Sequence, residues 1–224
     1  MANPLDPSVF PSSADFYIAE FENILVGITS CYKMMIEDNI SVPSNDENGI
    51  RDILLLNYLK NRAIKRKIKL TNYRFDREIM EDTTKGRVDI RIISKNDFEI
   101  DEAYYTIECK RLDNNKTSGT SGLNGDYIRE GIMRFITEYY SSYYGINGMI
   151  GFVVEQVDIP ANITNINKLL MENFSDANTE TVLTFHNFIK DFKYQYYSTH
   201  KDIKDRKIKL YHLMFDFSVN IDKS

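Results

Sequence analysis

The first third of the chain carries apolar residues at helical spacing. A helix is predicted over residues 13–37, capped by Ser12 or Ser13, from the positions Phe16, Phe21, Ile24, Leu25, Ile28, Tyr32 and Met35. A second helix is predicted over 47–62, with an apolar face of Ile50, Ile53, Leu54 and Tyr58. Residues 1–12 contain three prolines and are predicted to form a mobile lead-in.

Strand patterns follow in the middle of the chain. Residues 87–94 and 104–112 are predicted to form a hairpin, joined by the polar bend 95–102. Residues 148–155 are almost continuously apolar, which is typical of a strand buried on both faces. Further extended segments are predicted at 68–73 and 207–217.

Two more helices separate these strands. One is predicted over 126–144 and the other over 162–174, while the Gly/Ser/Asn-rich segment 113–124 is predicted to be a flexible loop. This order of helices and strands favours a single α/β domain, a three-layer sandwich in which a mixed central sheet has helices on both faces. We find no internal repeat and no domain boundary within 1–224.

Composition narrows the class of protein. The 224 residues are 42% hydrophobic, enough for one sizeable core. A formal net charge of −5 excludes a uniformly basic coat, so nucleic-acid binding would need local patches. Two cysteines and the absence of a signal-peptide pattern indicate a reduced, cytoplasmic setting. No apolar run approaches the roughly 18 residues of a membrane span, and no phosphate-binding glycine loop is present.

The residues that suggest chemistry lie in the predicted hairpin. Glu108 and Lys110 are two apart on one strand, so both side chains point to the same face, between apolar or neutral neighbours. Asp89 lies on the preceding strand and joins them if the hairpin register is favourable. Two carboxylates and an ammonium at one sheet face suit a divalent ion and a phosphate, because Mg²⁺ prefers hard oxygen ligands.

An Asp on one strand followed by Glu-x-Lys on the next resembles the PD-(D/E)XK nuclease superfamily. The two halves are Arg87-Val88-Asp89 and Glu108-Cys109-Lys110, without the familiar proline before the aspartate. The resemblance covers residues 86–110 in detail and 47–155 in topology. It implies a restriction-endonuclease-like fold and DNA cleavage that depends on Mg²⁺, with Mn²⁺ as a substitute. By the same resemblance, Asp89 and Glu108 would be metal ligands, and Lys110 would position or activate the attacking water.

Many members of that superfamily add a glutamate from the preceding helix. Glu47 is the preferred candidate for this metal ligand and catalytic residue, with Glu81 and Glu78 as rivals. Basic residues near the motif are candidates for phosphate contacts: Lys65, Arg66, Lys67, Arg87 and Arg129, with Arg134 and Tyr127 as further possibilities on the helix that carries Arg129.

Other polar and aromatic residues favour structural roles. The tyrosines Tyr139, Tyr140, Tyr143 and Tyr144 are more typical of packing than of base stacking, and Cys109 is expected in the core. The three histidines lack metal-ligand spacing, and the segment 196–200 is polar enough to be predicted exposed.

The sequence thus predicts an Mg²⁺-dependent DNA endonuclease, and restriction or phage defence is its expected setting by analogy. RNA is the alternative substrate, and a homodimer or a partner subunit is a possible assembly. A catalytically silent module that binds nucleic acid or a partner protein is the main alternative. A surface hairpin with solvated charges is the simplest one.

Overall fold

The computed structural model describes residues 11–80, 87–95, 103–137 and 143–222. Its centre is a seven-stranded mixed sheet with the order β1-β2-β3-β4-β7-β6-β5. The strands are β1 (Tyr73–Met80), β2 (Arg87–Ser94), β3 (Tyr105–Leu112), β4 (Ile146–Val153), β5 (Thr179–Phe185), β6 (Gln195–Lys201) and β7 (Lys207–Asp216). The central strand β4 runs parallel to β3 and β7, and the outer strands pair antiparallel.

The helical elements lie before and between these strands along the sequence. They are α1 (Pro11–Glu37), α2 (Glu47–Asp52), a first π-helical segment (Ile53–Leu59), α3 (Arg62–Lys67), α4 (Leu123–Tyr127), a second π-helical segment (Ile128–Ile132), α5 (Met133–Ile136), α6 (Ile159–Glu172) and a 3-10 turn (Ser175–Ala177). Within the described part of the chain, none of these helices is both long and apolar enough to cross a bilayer.

Two separate cores lie on the two faces of the sheet. Alternate residues of β7 show this division, since Leu213 contributes to a core built with α1 and the first π-helical segment, whereas Met214 contributes to a core built with α4 to α6. All eight residues of β4 are buried. The architecture is therefore an α/β fold with helices on both faces of a mixed sheet, as the order of elements predicted.

The central strand predictions are confirmed more closely than the helix ends. Strand β2 has the predicted bounds 87–94, β3 begins one residue later than expected, and the two pair antiparallel as a hairpin. Its connecting bend at 96–102 lies outside the described residues, as does the lead-in at 1–10. The predicted segments 148–155 and 207–217 correspond to β4 and β7.

Three helix predictions were wrong in detail. The first helix already begins at Pro11, so Ser12 and Ser13 lie inside it rather than at its cap. The segment 47–62 is not one α-helix but α2 followed by a π-helical segment. The helix predicted at 126–144 begins at Leu123 and ends at Ile136.

The prediction of an exposed segment at 196–200 was also wrong. These residues belong to β6, and both Ser198 and His200 are fully buried. A chain of contacts satisfies their polar atoms: Tyr127 Oη to His212 Nδ1, His212 Nε2 to Ser198 Oγ and Ser198 Oγ to His200 Nε2, each 2.8 Å. Hydrogen bonding therefore compensates for burying a polar strand.

One carbonyl group fixes the direction of this hydrogen-bond chain. The Ala177 carbonyl, 3.0 Å from His200 Nδ1, can only accept, so Nδ1 of His200 carries the proton and Nε2 accepts from Ser198. Ser198 then accepts from Nε2 of His212, and Nδ1 of His212 accepts from Tyr127. Both imidazoles are neutral in this arrangement, and burial lowers the pKa of His200 to about 4.

We expect the buried histidines to destabilise the protein in acid. The pKa of His200 is lower in the folded chain than its ordinary value near 6.5, so the unfolded chain takes up a proton first as the pH falls. The stabilising contribution of the neutral His200 to the free energy of unfolding is therefore complete above pH 6.5 and is lost as the pH falls towards 4. This residue alone should remove about 2 kcal/mol from the free energy of unfolding between pH 7.5 and 5. Urea denaturation at a series of pH values measures that change.

The variant His200→Gln isolates the contribution of this histidine. It should be less stable than the wild type at pH 7.5, but its free energy of unfolding should fall less steeply with acid. The variant His186→Gln removes a half-exposed imidazole and leaves the buried hydrogen-bond chain intact, so it tests whether loss of any histidine has the same effect. Equal slopes for the wild type and His200→Gln would contradict the tautomer and burial argument.

Candidate functional site

Strand β3 places an acid and a base on one face of the sheet. Ile107 and Cys109 point into the core that contains α1, so Glu108 and Lys110 face the opposite side. Glu108 is fully buried, and Lys110 is 8% exposed. The strand alternation inferred from the sequence, with Cys109 as a core residue, is therefore confirmed.

Asp89 reaches these residues because β2 and β3 separate at this point. Their backbone pairing runs as far as Ile90 and Ile107, and the next pair in that register would be Asp89 and Glu108. Beyond the last pair, the N–H of Cys109 donates to the Asp89 carboxylate at 2.8 Å instead of to a backbone carbonyl. The side chain of Asp89 thus bridges the opening between the two strands, and the predicted hairpin brings it to the site.

Two cations contact one oxygen of the buried Glu108 carboxylate. Lys110 Nζ and Arg134 Nη1 each lie 2.8 Å from Glu108 Oε1. Burial raises the pKa of Glu108 to about 7, and the nearby charge of Asp89 acts in the same direction. Lys110 and Arg134 act in the opposite direction and favour the ionised form. A buried carboxylate without such partners would be costly.

Lys110 lies among three oxygen atoms. Its Nζ is 2.8 Å from Glu108 Oε1, 3.0 Å from Glu47 Oε1 and 2.9 Å from the Cys109 carbonyl oxygen. Burial acts to lower the pKa of this ammonium, but the carboxylates of Glu108, Glu47 and Asp89 outweigh it and raise the pKa above its ordinary value. Lys110 is therefore a fixed positive charge at neutral pH.

The structure brings Glu47 to the site, as expected, but mainly as a partner of β3. One carboxylate oxygen accepts from Lys110, and the other accepts from the backbone N–H of Arg111 at 2.8 Å. Glu47 begins α2, where the Asp46 side chain caps the helix by accepting from the N–H of Gly49. Glu47 thus anchors the start of α2 to β3. Of its two rivals, Glu81 lies outside the described residues, and so does the side chain of Glu78.

Arg51 is a site residue that the sequence analysis missed. It is 1% exposed, and its Nη1 lies 2.9 Å from Asp89 Oδ1. The same guanidinium donates to Asp52, which also accepts from Arg77. Its position was detectable, since Glu47 and Arg51 are four residues apart and share one helical face.

Arg134 enters the site from the opposite side, through the second π-helical segment and α5. Its second terminal nitrogen lies 3.3 Å from Glu130 Oε2. This helical stretch approaches the sheet closely at Gly131, where an added Cβ would lie 2.5 Å from Met149 Cε. Arg134 was only a secondary possibility in the sequence. The first π-helical segment directly follows α2, which carries Arg51, and the second directly precedes α5, which carries Arg134. Such segments often occur at functional sites.

Three of the five predicted phosphate-binding residues lie together on one short helix. Lys65, Arg66 and Lys67 lie on α3, where Lys65 contacts the Tyr73 carbonyl oxygen and the Phe75 ring of β1. Arg66 and Lys67 are exposed. The side chain of Arg87 lies outside the described residues, and the exposed Arg129 pairs with Asp126.

The aromatic prediction is supported where it can be followed. Tyr144 packs against Tyr17 and Tyr105, with ring centroids 4.4 and 4.5 Å apart, and Tyr143 contacts Tyr144 edge to face. Tyr139 and Tyr140 lie outside the described residues. Tyr144 therefore has a packing role.

The donor set of the site determines whether a divalent ion fits it. No group of three or more His, Cys, Asp or Glu residues in the described ranges is arranged to hold a metal. Mg²⁺ needs fewer protein ligands, since it is commonly held by one or two carboxylates together with water and substrate phosphates. Asp89 and Glu108 supply two carboxylates with hard oxygens on neighbouring strands, so their chemistry fits Mg²⁺ or Mn²⁺.

Comparison with known proteins gives no further guide to the site. No protein-family model matches the chain, and neither the curated proteins nor the solved structures give a significant match. The network around Glu108 is therefore the feature that indicates the class of this protein.

We expect the buried Arg51 to be essential for stability. Replacing it in Arg51→Met removes the cation from Asp89 and Asp52 and leaves a partly buried carboxylate unpaired. Breaking such a pair should lower the free energy of unfolding by about 3 kcal/mol. Chemical denaturation at pH 7.5 measures the loss.

A double-mutant cycle separates this ion pair from a simple packing defect. Asp89→Asn in the Arg51→Met background should recover part of the lost stability, because the unpaired charge is then gone. The exposed Arg129 is the matched control, and Arg129→Met should change the free energy of unfolding by less than about 1 kcal/mol. Additive effects of Arg51→Met and Asp89→Asn would show that the two side chains are not coupled.

Proposed function

We propose that this protein is a metal-dependent nuclease of the PD-(D/E)XK superfamily that hydrolyses phosphodiester bonds in DNA. The observation that carries the proposal is the fully buried Glu108 beside Asp89, with Lys110 held 2.8 Å from the Glu108 carboxylate. Two carboxylates and an ammonium at one opening of a sheet are what metal-assisted phosphodiester hydrolysis requires. A solvated surface hairpin would not bury these groups.

Asp89 and Glu108 are the residues that would hold Mg²⁺, or Mn²⁺ in its place. When bound, the ion polarises the phosphate and lowers the pKa of a coordinated water. Arg51 orients the Asp89 carboxylate, and Glu47 holds the Lys110 ammonium beside Glu108. Lys110 thereby provides a fixed positive charge that stabilises negative charge developing on the phosphate.

The fold supports the same class of protein. A helix with a glutamate at its start precedes the hairpin β2–β3, and a helix and the buried parallel strand β4 follow it. This is the order implied by the resemblance to restriction-endonuclease-like nucleases, and the sheet carries helices on both faces as that fold requires. By analogy with the superfamily, we assign the protein to restriction or phage defence in the cytoplasm.

One observation favours the alternative, a silent module that binds nucleic acid or a partner protein. An ammonium has three donors, and Lys110 already contacts three oxygen atoms of Glu108, Glu47 and Cys109. Such a saturated network can serve as a purely structural connection between α2 and the sheet. A module of this kind would bind nucleic acid or a partner protein, and it would not cleave DNA or RNA in the presence of any divalent metal ion.

Cleavage assays distinguish the two functions. The wild type should cut plasmid or linear DNA with Mg²⁺ or Mn²⁺ and should be inactive with EDTA. Asp89→Asn and Lys110→Met should each reduce the single-turnover rate by a factor on the order of 100 or more. Parallel reactions with single-stranded DNA and with RNA identify the preferred substrate.

Matched controls test for general damage to the protein. The side chain of Asp205 is 80% exposed and pairs with Lys201, remote in sequence from β2 and β3. Asp205→Asn and Lys201→Met should therefore cleave at the wild-type rate. Absence of cleavage by a folded wild type, or equal activity of Asp89→Asn and Asp205→Asn, would refute the nuclease proposal.

A further inference from the structure

A cleft opens on the sheet face that carries the candidate site. Its volume is about 420 Å³, within the range of roughly 300–1,000 Å³ that is typical of small-ligand pockets. The second π-helical segment and α5 form one wall, and the residues after α6 form the other. The lining includes Arg129, Glu130, Arg134, Asn173, Phe174 and Asp176.

The cleft adjoins the candidate site through a single residue. Arg134 lines the cleft, and its Nη1 contacts Glu108 Oε1 at 2.8 Å. A ligand in the cleft would therefore lie one side chain away from the carboxylate that we assign to the metal. A substrate strand whose phosphate lies at the Asp89–Glu108–Lys110 site would have a neighbouring nucleotide beside Arg134.

Charge balance indicates what kind of group the cleft accepts. Two guanidinium groups, Arg129 and Arg134, face two carboxylates, Glu130 and Asp176. The Arg134 charge is further offset by Glu108 and Glu130, and Arg129 pairs with Asp126 at 2.8 Å. A lining of this kind does not select for a phosphate. It offers hydrogen-bond donors and acceptors to an uncharged polar ligand.

The remaining feature of the cleft is an aromatic surface. Phe174 is partly buried against the core of α4 to α6, and the Arg129 guanidinium lies 5.6 Å from its ring centroid. Arg129 is held in place by Asp126 and by the Thr120 carbonyl oxygen. The Arg129 guanidinium lies over the Phe174 ring, so the two groups form one stack. The outer face of this stack suits a flat ring system, because bases stack on guanidinium planes as well as on aromatic rings.

We propose that this cleft binds an unpaired nucleobase of the substrate strand, next to the phosphate at the Asp89–Glu108–Lys110 site. The base stacks on the Arg129–Phe174 pair, while Asn173, Glu130 and Asp176 offer hydrogen bonds to its edge. The inference rests on the proposed nuclease function and specifies its substrate as a strand with an unstacked base. A single strand offers such a base without the cost of opening a duplex. DNA and RNA share this chemistry.

Equilibrium binding in EDTA tests the cleft without cleavage. Fluorescence anisotropy with labelled single-stranded DNA, single-stranded RNA and duplex DNA should show tighter binding of one of the single strands than of the duplex. Phe174→Ala should weaken that binding about tenfold, since the stack on which the base lies is lost. Phe174→Tyr should stay within about twofold of the wild type.

Two controls exclude a folding defect as the cause. Phe185 is 56% exposed on the edge strand β5, and Phe185→Ala should bind the strand like the wild type. With the unchanged wild-type protein, an oligonucleotide with an abasic site at one position should also bind more weakly than the intact strand. The tighter-binding strand, single-stranded DNA or single-stranded RNA, identifies the nucleic acid that supplies the base.

The inference is overturned if Phe174→Ala binds as tightly as the wild type, or if no abasic position weakens binding. Tighter binding of duplex than of either single strand also overturns it, and so does a free nucleoside monophosphate that binds as tightly as the strand. Cleavage by a protein whose binding is insensitive to Phe174 would refute the cleft but not the nuclease. Binding that depends on Phe174, without cleavage in the presence of any divalent metal ion, would refute the nuclease proposal but not the base-binding cleft.

Discussion

The burial of the Glu108 carboxylate is the constraint on which the rest of this structure depends. A charged group in the middle of a sheet costs several kcal/mol unless partners compensate for the lost water. Lys110 comes from the same strand and Arg134 from the opposite helical layer, and both contact one carboxylate oxygen. Asp89 adds a second negative charge nearby, so the cations on both sides are needed to keep the network balanced.

That balance explains why the surrounding elements lie where they do. The opening between β2 and β3 makes room for Asp89, whose carboxylate accepts a hydrogen bond from the N–H of Cys109. Helix α2 reaches this opening with Glu47 for Lys110 and Arg51 for Asp89. Carboxylates and cations thus alternate from α2 through the sheet to α5. Apolar residues would stabilise a protein core as well as this charged network does. Stability alone therefore does not account for a network that draws on three layers of the fold.

Periodicity made part of this arrangement predictable. Alternation along 87–94 and 104–112 placed the hairpin and put Glu108 beside Lys110, because strand geometry alone decides which face a residue occupies. Strand β6 was missed, since its polar residues are buried only through a hydrogen-bond chain with distant partners such as Tyr127 and His212. Arg134 was missed as a central residue for the same reason, because its partner Glu108 is distant in sequence. Arg51 was missed although its spacing to Glu47 could have indicated it.

Binding of Mn²⁺ to the purified protein tests the central claim most directly, because it does not depend on knowing the substrate. Isothermal titration calorimetry should detect a site in the wild type that is lost in Glu108→Gln and in Asp89→Asn, whereas Asp205→Asn should bind like the wild type. Each variant should remain folded by circular dichroism. If folded Glu108→Gln bound Mn²⁺ as the wild type does, or if the wild type bound none, the buried carboxylates would not be a metal centre.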